Sequence, residues 1–245
     1  MDTTRTLTAA AIAAVALPSI AQSLTVVNEP WPGEASHAEM LADAFGGSFA
    51  SLGTTEGVNF HSSNGNTLTD IGFTNGSVTA RRISDLGSAV NPDLTNLSAG
   101  DDSSFAKGSY RADFLQGYSS LDHDFGAMTE EGEFRSLVGD SGRTFRSYHP
   151  DADFDWALST SNGRMFSSDS ASNDGKDHMV TYGIYDDADQ LIAAVLFFED
   201  WGGAGSDWDY NDSAVLLTLA PTPQAALLGL AGLGGIGLAA GRRRR

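Results

Sequence analysis

Residues 178–200 read HMVTYGIYDDADQLIAAVLFFED, and this stretch decides the fold. His178 to Tyr185 reads as one strand, Asp186-Asp187-Ala188-Asp189 as the turn, and Leu191 to Phe198 is apolar without interruption. Eight consecutive apolar residues after a turn predict a strand covered on both faces, because a half-exposed strand would alternate with polar positions. Working outward, Ser213 to Leu219 supplies one further strand after a long loop. Phe154 to Ser159, then Ser161-Asn162-Gly163, then Arg164 to Ser167 read as a hairpin. Asn64-Gly65, Asn75-Gly76 and Asn162-Gly163 are turn dipeptides that readily adopt positive backbone angles. Only one helix is predicted in this central region. Ser36 with Glu39 three residues on forms a capping box, Leu41, Ala44 and Phe45 follow at helical spacing, and Gly46-Gly47 stops it. Many short strands, frequent Gly/Asn turns and one peripheral helix predict a mainly β chain, an antiparallel β-sandwich of jelly-roll-like type. One domain over residues 22–220 is expected, with no internal repeat and no linker that would divide it.

The two ends read as addresses. Met1 to Arg5 is a short charged start and Leu7 to Leu17 is apolar and Ala-rich. Small residues at Ser19 and Ala21 suit a signal peptidase, so residues 1–21 are expected to be a signal peptide. At the other end, Pro221-Thr222-Pro223 precedes an apolar Ala/Leu/Gly run from Ala225 to Ala240, closed by Arg242, Arg243, Arg244 and Arg245. A hydrophobic segment followed by arginines is held with its cationic end on the cytoplasmic side. At under about 20 residues, and rich in glycine, this one suits a temporary anchor at the inner membrane. The order of parts resembles the PEP-CTERM sorting signal of Gram-negative bacteria, with Pro221-Thr222-Pro223 standing where that family has Pro-Glu-Pro. The resemblance implies that residues 221–245 form a short C-terminal hydrophobic helix processed by an exosortase-type enzyme. The protein would then pass to the cell surface or the extracellular matrix.

Composition fits that compartment. The chain has no cysteine, so disulfides and thiolate metal sites are excluded. Without the two terminal signals, nine basic side chains face thirty-one acidic ones, a net charge near −22. Such a surface repels phosphate backbones and excludes nucleic-acid binding as the main task. It attracts cations.

The loop between the last two strands, EDWGGAGSDWDYND at residues 199–212, carries the chemistry. Glu199, Asp200, Asp207, Asp209, Asn211 and Asp212 are hard oxygen donors, the kind Ca²⁺ takes six to eight of at about 2.3–2.6 Å. Alternation at 207, 209 and 211 places three on one side of an extended chain. Gly202, Gly203 and Gly205 allow backbone carbonyls to approach closely. Asp174 and Asp177 are expected to join them if their loop lies at the same sheet end. The arrangement is not an EF-hand, since Asp212 rather than Gly follows Asn211 and Thr218 occupies the closing position. The competing reading is an acidic turn that hydrogen-bonds its own backbone. Trp201 and Trp208, inside the loop, either stack on sugar rings beside a calcium ion or cap the core.

Phe198-Glu199-Asp200, a Gly-rich gap, then Asp207-x-Asp209-Tyr210-Asn211-Asp212 resembles the closing signature of the bacterial module called domain of unknown function 4114, with Tyr210 in place of Phe. Ser172 to Met179 matches an upstream element of that family loosely, so the resemblance covers residues 172–219. It implies a β-rich, secreted, calcium-associated module of surface proteins, for which no catalytic activity is established.

Enzyme readings find little support. Gly139-Asp140-Ser141-Gly142 is followed by Arg143, and His37, His61 and His123 lack the context of a catalytic triad. His123, between Asp122 and Asp124, reads as a solvated turn residue before it reads as a metal ligand. The expectation is therefore a non-enzymatic, calcium-stabilised structural or binding protein of the envelope or extracellular polysaccharide matrix. The alternative is a calcium-dependent carbohydrate-binding protein or carbohydrate-active enzyme.

Overall fold

The computed structural model describes residues 24–61, 68–83, 102–129, 131–139, 146–203 and 205–219. The expected signal peptide and C-terminal sorting segment lie outside these residues. Among the described residues no helix is long and apolar enough to cross a membrane.

The chain is mainly antiparallel β. Its elements are β1 (Ala50–Ser51), β2 (Thr54–Glu56), β3 (Leu68–Asp70), β4 (Gly72–Thr74), β5 (Thr79–Arg82), β6 (Tyr110–Gln116), β7 (His123–Met128), β8 (Phe134–Gly139), β9 (Arg146–Tyr148), β10 (Asp155–Thr160), β11 (Met165–Ser167), β12 (Met179–Tyr185), β13 (Leu191–Phe198) and β14 (Ser213–Leu219). One α-helix, α1 (His37–Phe45), precedes them, and a short 3-10 helix, Ser170–Asn173, leads into β12. An eight-stranded sheet has the order β1-β4-β5-β12-β13-β14-β6-β9, and a four-stranded sheet has the order β11-β10-β7-β8. The strands β2 and β3 form a small separate hairpin. Two sheets that share one apolar core are consistent with a β-sandwich.

The period of two along the central strands explains why the larger sheet is covered twice. On β13, Ala194, Leu196 and Phe198 join Val215 and Leu217 of β14 in a core with Phe125, Trp156 and Leu158 of the smaller sheet. The intervening Ala193, Val195 and Phe197 face the other way, with Val180, Tyr182 and Ile184 of β12, and are covered by Met40 and Leu41 of α1. The uninterrupted apolar run therefore marks a strand buried on both faces, as its composition predicts. Trp156 sits at the centre of the inter-sheet core, stacked on Phe125 at 4.9 Å and meeting Phe154 edge-on at 4.7 Å.

Local sequence signals are realised where they are strong. Ser36 caps α1, and the reciprocal bonds with Glu39 of the capping box are both present. The hairpin β10–β11 turns at Ser161-Asn162-Gly163, and Gly163 takes the positive φ of +83° that its place requires. Met179 pairs with Phe198, and the Glu199 N–H donates to the His178 carbonyl at 2.9 Å, which puts the acidic loop at the sheet end where β12 begins.

Candidate metal centre

The loop leaves β13 at Glu199 and returns into β14 at Ser213. Its second half is shaped by the aromatic residues between the acids. Trp208 and Tyr210 have φ of +57° and +59°, a left-handed conformation unfavourable for bulky side chains. Both are fully buried in the outer core, and the Tyr210 hydroxyl donates to the Asp177 carbonyl at 2.9 Å. Burial of two large rings holds a backbone that would otherwise relax, and the segment is therefore not the extended chain with 207, 209 and 211 on one side that the alternation predicts. Trp208 is thus an anchor in the layer shared with α1. Trp201 is 39 % exposed, with the Arg164 guanidinium 4.1 Å from its ring centre.

The acids resolve into two groups. In the first, Glu199, Asp200 and Asp212 each offer an oxygen within 4.8 Å of the others; in the second, Asp207 and Asp209 do so with Glu34. Two oxygens bound to one ion at about 2.4 Å lie at most about 4.8 Å apart, so either group is compact enough to hold a metal ion, without its spacing specifying which. The donors are all oxygen, which suits a hard cation.

The first group is scaffolded by bonds within the loop and from Ser119 and His123. The Asp200 N–H donates to Asp212 Oδ2 at 2.8 Å. Asp200 Oδ2 accepts from the Ser119 hydroxyl and lies 2.8 Å from Nε2 of His123 on β7. His123 is buried, which corrects its reading as a solvated turn residue: its neighbours Asp122 and Asp124 flank a strand position that faces inward. Glu199 is 1 % exposed, and its Oε2 has no hydrogen-bond partner among the described residues. A cavity of about 210 Å³ lined by Gln116, Ser119 and His123 reaches Asp212 of this group. Gly117 lines it too, and a Cβ there would meet the Asp212 carbonyl oxygen at 2.3 Å, so the loop closes only over a glycine.

Electrostatics follow from this crowding. Burial, then the charge of Asp207, holds the Glu199 carboxyl well above the usual carboxylate range. Burial and the Glu199 and Asp200 charges push Asp212 further up. Asp200 goes the other way: burial raises it, but the bonds from His123 and Ser119 outweigh that and leave it low. Asp209 is pushed up to about 7 by burial and then by Asp207, and Asp207 itself is raised by burial. A cation at the loop reverses this balance, because it stabilises the ionised form of every carboxylate it touches.

Of the remaining sequence-predicted residues, Asn211 is buried and used structurally, its Nδ2 donating to the Ala35 carbonyl at 3.2 Å. Asp177 does lie at the same sheet end, yet its carboxylate accepts from Thr25 Oγ1 at 2.7 Å and from the Met179 N–H at 3.0 Å. Asp174 is exposed and ends the 3-10 helix in a left-handed conformation. Neither belongs to either acidic group. Sequence reasoning missed Glu34, which lies far away in the chain and carries no local signal. It also missed the partnership of His123 with Asp200. Cys-free oxygen chemistry on an antiparallel β scaffold is the class that the fold and this loop define. No protein-family model, no curated protein and no solved structure matches the chain.

Proposed function

We propose that this is an exported structural or binding protein of the cell surface or extracellular polysaccharide matrix, with a jelly-roll-like sandwich whose acidic loop is fixed by calcium. The observation that carries the calcium reading is the convergence of Glu199, Asp200 and Asp212, with Glu199 Oε2 buried and unpartnered. A buried carboxylate oxygen without a donor is costly, and a cation is the partner that removes that cost at Glu199 and relieves the crowding of Asp212, while Asp200 is already held by Ser119 and His123. Export, transient anchoring at the inner membrane and processing by an exosortase-type enzyme rest on the two terminal segments and on the resemblance to PEP-CTERM signals. The role as a surface module rests on the closing motif at residues 198–212. Calorimetric titration of Ca²⁺ into the chelator-treated full-length chain tests the ion. Saturable heat that Asp212→Asn diminishes supports the reading, and no heat at any concentration refutes it.

A second reading is favoured by a separate observation. A cleft of about 440 Å³ beside α1 is lined by Asn28, His37, Thr69, Asp70, Tyr182 and Asp209, a size that suits a small ligand. Calcium-dependent carbohydrate binding, with or without hydrolysis, places a sugar there next to the loop. Sugar-induced melting shifts that need Ca²⁺ and vanish in Asp70→Asn support it, and their absence across a glycan panel removes it.

A further inference from the structure

We propose that the loop holds two separate divalent-cation sites, and that the second, formed by Glu34, Asp207 and Asp209, fastens the N-terminal segment to the loop. The proposal shares the hard-oxygen chemistry of the calcium reading but stands on different residues.

The N-terminal segment is laced to the loop by its backbone. The Asn28 N–H donates to the Trp208 carbonyl at 3.0 Å, and Asn28 Nδ2 donates to the Asp207 carbonyl. Further on, His37 Nε2 lies 3.1 Å from the Tyr210 carbonyl oxygen, and Asn211 Nδ2 reaches Ala35. Between these ties the chain makes a turn in which the Glu34 N–H donates to the Trp31 carbonyl at 3.0 Å. That turn sets the Glu34 carboxylate against Asp207 and Asp209, one oxygen from each within 4.8 Å of the other two. No Lys or Arg of the described residues forms a salt bridge with any of the three.

Two further observations point to a ligand. Asp209 is only 2 % exposed, and among the described residues its Oδ2 receives no hydrogen bond from an N–H or hydroxyl, its neighbour being the Glu34 carboxyl. Asn28, whose amide nitrogen already bonds the Asp207 carbonyl, is buried as well, and its Oδ1 is also unpartnered. Three carboxylates are three of the six to eight donors a calcium ion takes, and water supplies the rest at the half-exposed Glu34 side. Contact between residues so far apart in sequence gives the ion a structural task, since it ties the segment before α1 to the loop between β13 and β14. Binding that requires the closed form must stabilise it.

The test is Ca²⁺ titration calorimetry of the full-length chain, with hydrogen exchange of residues 28–37 followed with and without Ca²⁺. The wild type is expected to bind two ions. Glu34→Gln is expected to bind one, and to lose at least tenfold of the Ca²⁺-dependent protection over residues 28–37. Asp212→Asn is expected to bind one and to keep that protection. Two ions in Glu34→Gln overturn the proposal, as does one ion in the wild type that Glu34→Gln leaves intact while Asp212→Asn abolishes it; calcium at the first group then stands alone. A single ion abolished by both variants is one shared site, which also overturns it. No ion in any protein removes both readings. Glu34 is half-exposed, so its variant is expected to fold, and Asp207→Asn repeats the test independently.

Discussion

Neutralising Asp209 should stabilise the protein without calcium and weaken its response to calcium. In the folded chain its carboxyl is raised from about 3.8 to about 7, chiefly by burial and then by Asp207. That shift of about three units corresponds to roughly 4 kcal/mol lost when the group is forced to ionise above pH 7. Asp209→Asn keeps the shape and the oxygen that accepts from the Asn211 N–H at 3.1 Å, but removes the charge. In chelator at pH 8 the variant should therefore melt higher. A gain approaching 4 kcal/mol is on the order of 8–16 °C for a domain of this size. In Ca²⁺ at a hundred times the dissociation constant, the wild type should recover about 2.7 kcal/mol per site while the variant recovers less. The assay is thermal unfolding of both proteins by circular dichroism, in chelator and in saturating Ca²⁺. A variant that melts lower in chelator, or that responds to Ca²⁺ as strongly as the wild type, refutes the reasoning.

The same shift gives a pH trend of definite sign. A raised folded pKa contributes stability below the unfolded pKa and loses it as pH rises through the folded one, so chelated protein should weaken between about pH 4 and pH 7. In Ca²⁺ the trend should reverse, because ion binding needs the ionised carboxylates; melting curves across that range check both slopes. His123→Ala removes a hydrogen-bond partner 2.8 Å from the buried Asp200 carboxylate, and should cost about 1–3 kcal/mol in chelator but less in Ca²⁺, measured by denaturant unfolding. Trp156→Ala empties the centre of the inter-sheet core and should cost about 3–5 kcal/mol with or without Ca²⁺, which separates core packing from the ion's contribution in the same assay.

The sequence by itself determined what depends on neighbours along the chain. The capping box at Ser36 and Glu39, the β10–β11 turn, the β12–β13 pair and the doubly buried β13 are all legible because their signals are local: a cap, a turn dipeptide, a period of two. The density of acids between Glu199 and Asp212 is legible for the same reason. Which acids meet is another matter. Asp177 is close to the loop in sequence-derived topology, yet Thr25 and the Met179 N–H occupy its carboxylate. Glu34 and His123 belong to the loop's surroundings only because the N-terminal segment packs beside Trp208 and because β7 faces the end of β13. Trp208 was legible as a cap on the core, but the left-handed backbone that accompanies its burial and that of Tyr210 was not. Spacing along a chain fixes periodicity and turns, whereas the partners of a buried charge come from elements that meet only when both faces of the large sheet are covered. The tertiary structure alone therefore decided the division of one acidic loop into two oxygen-lined groups.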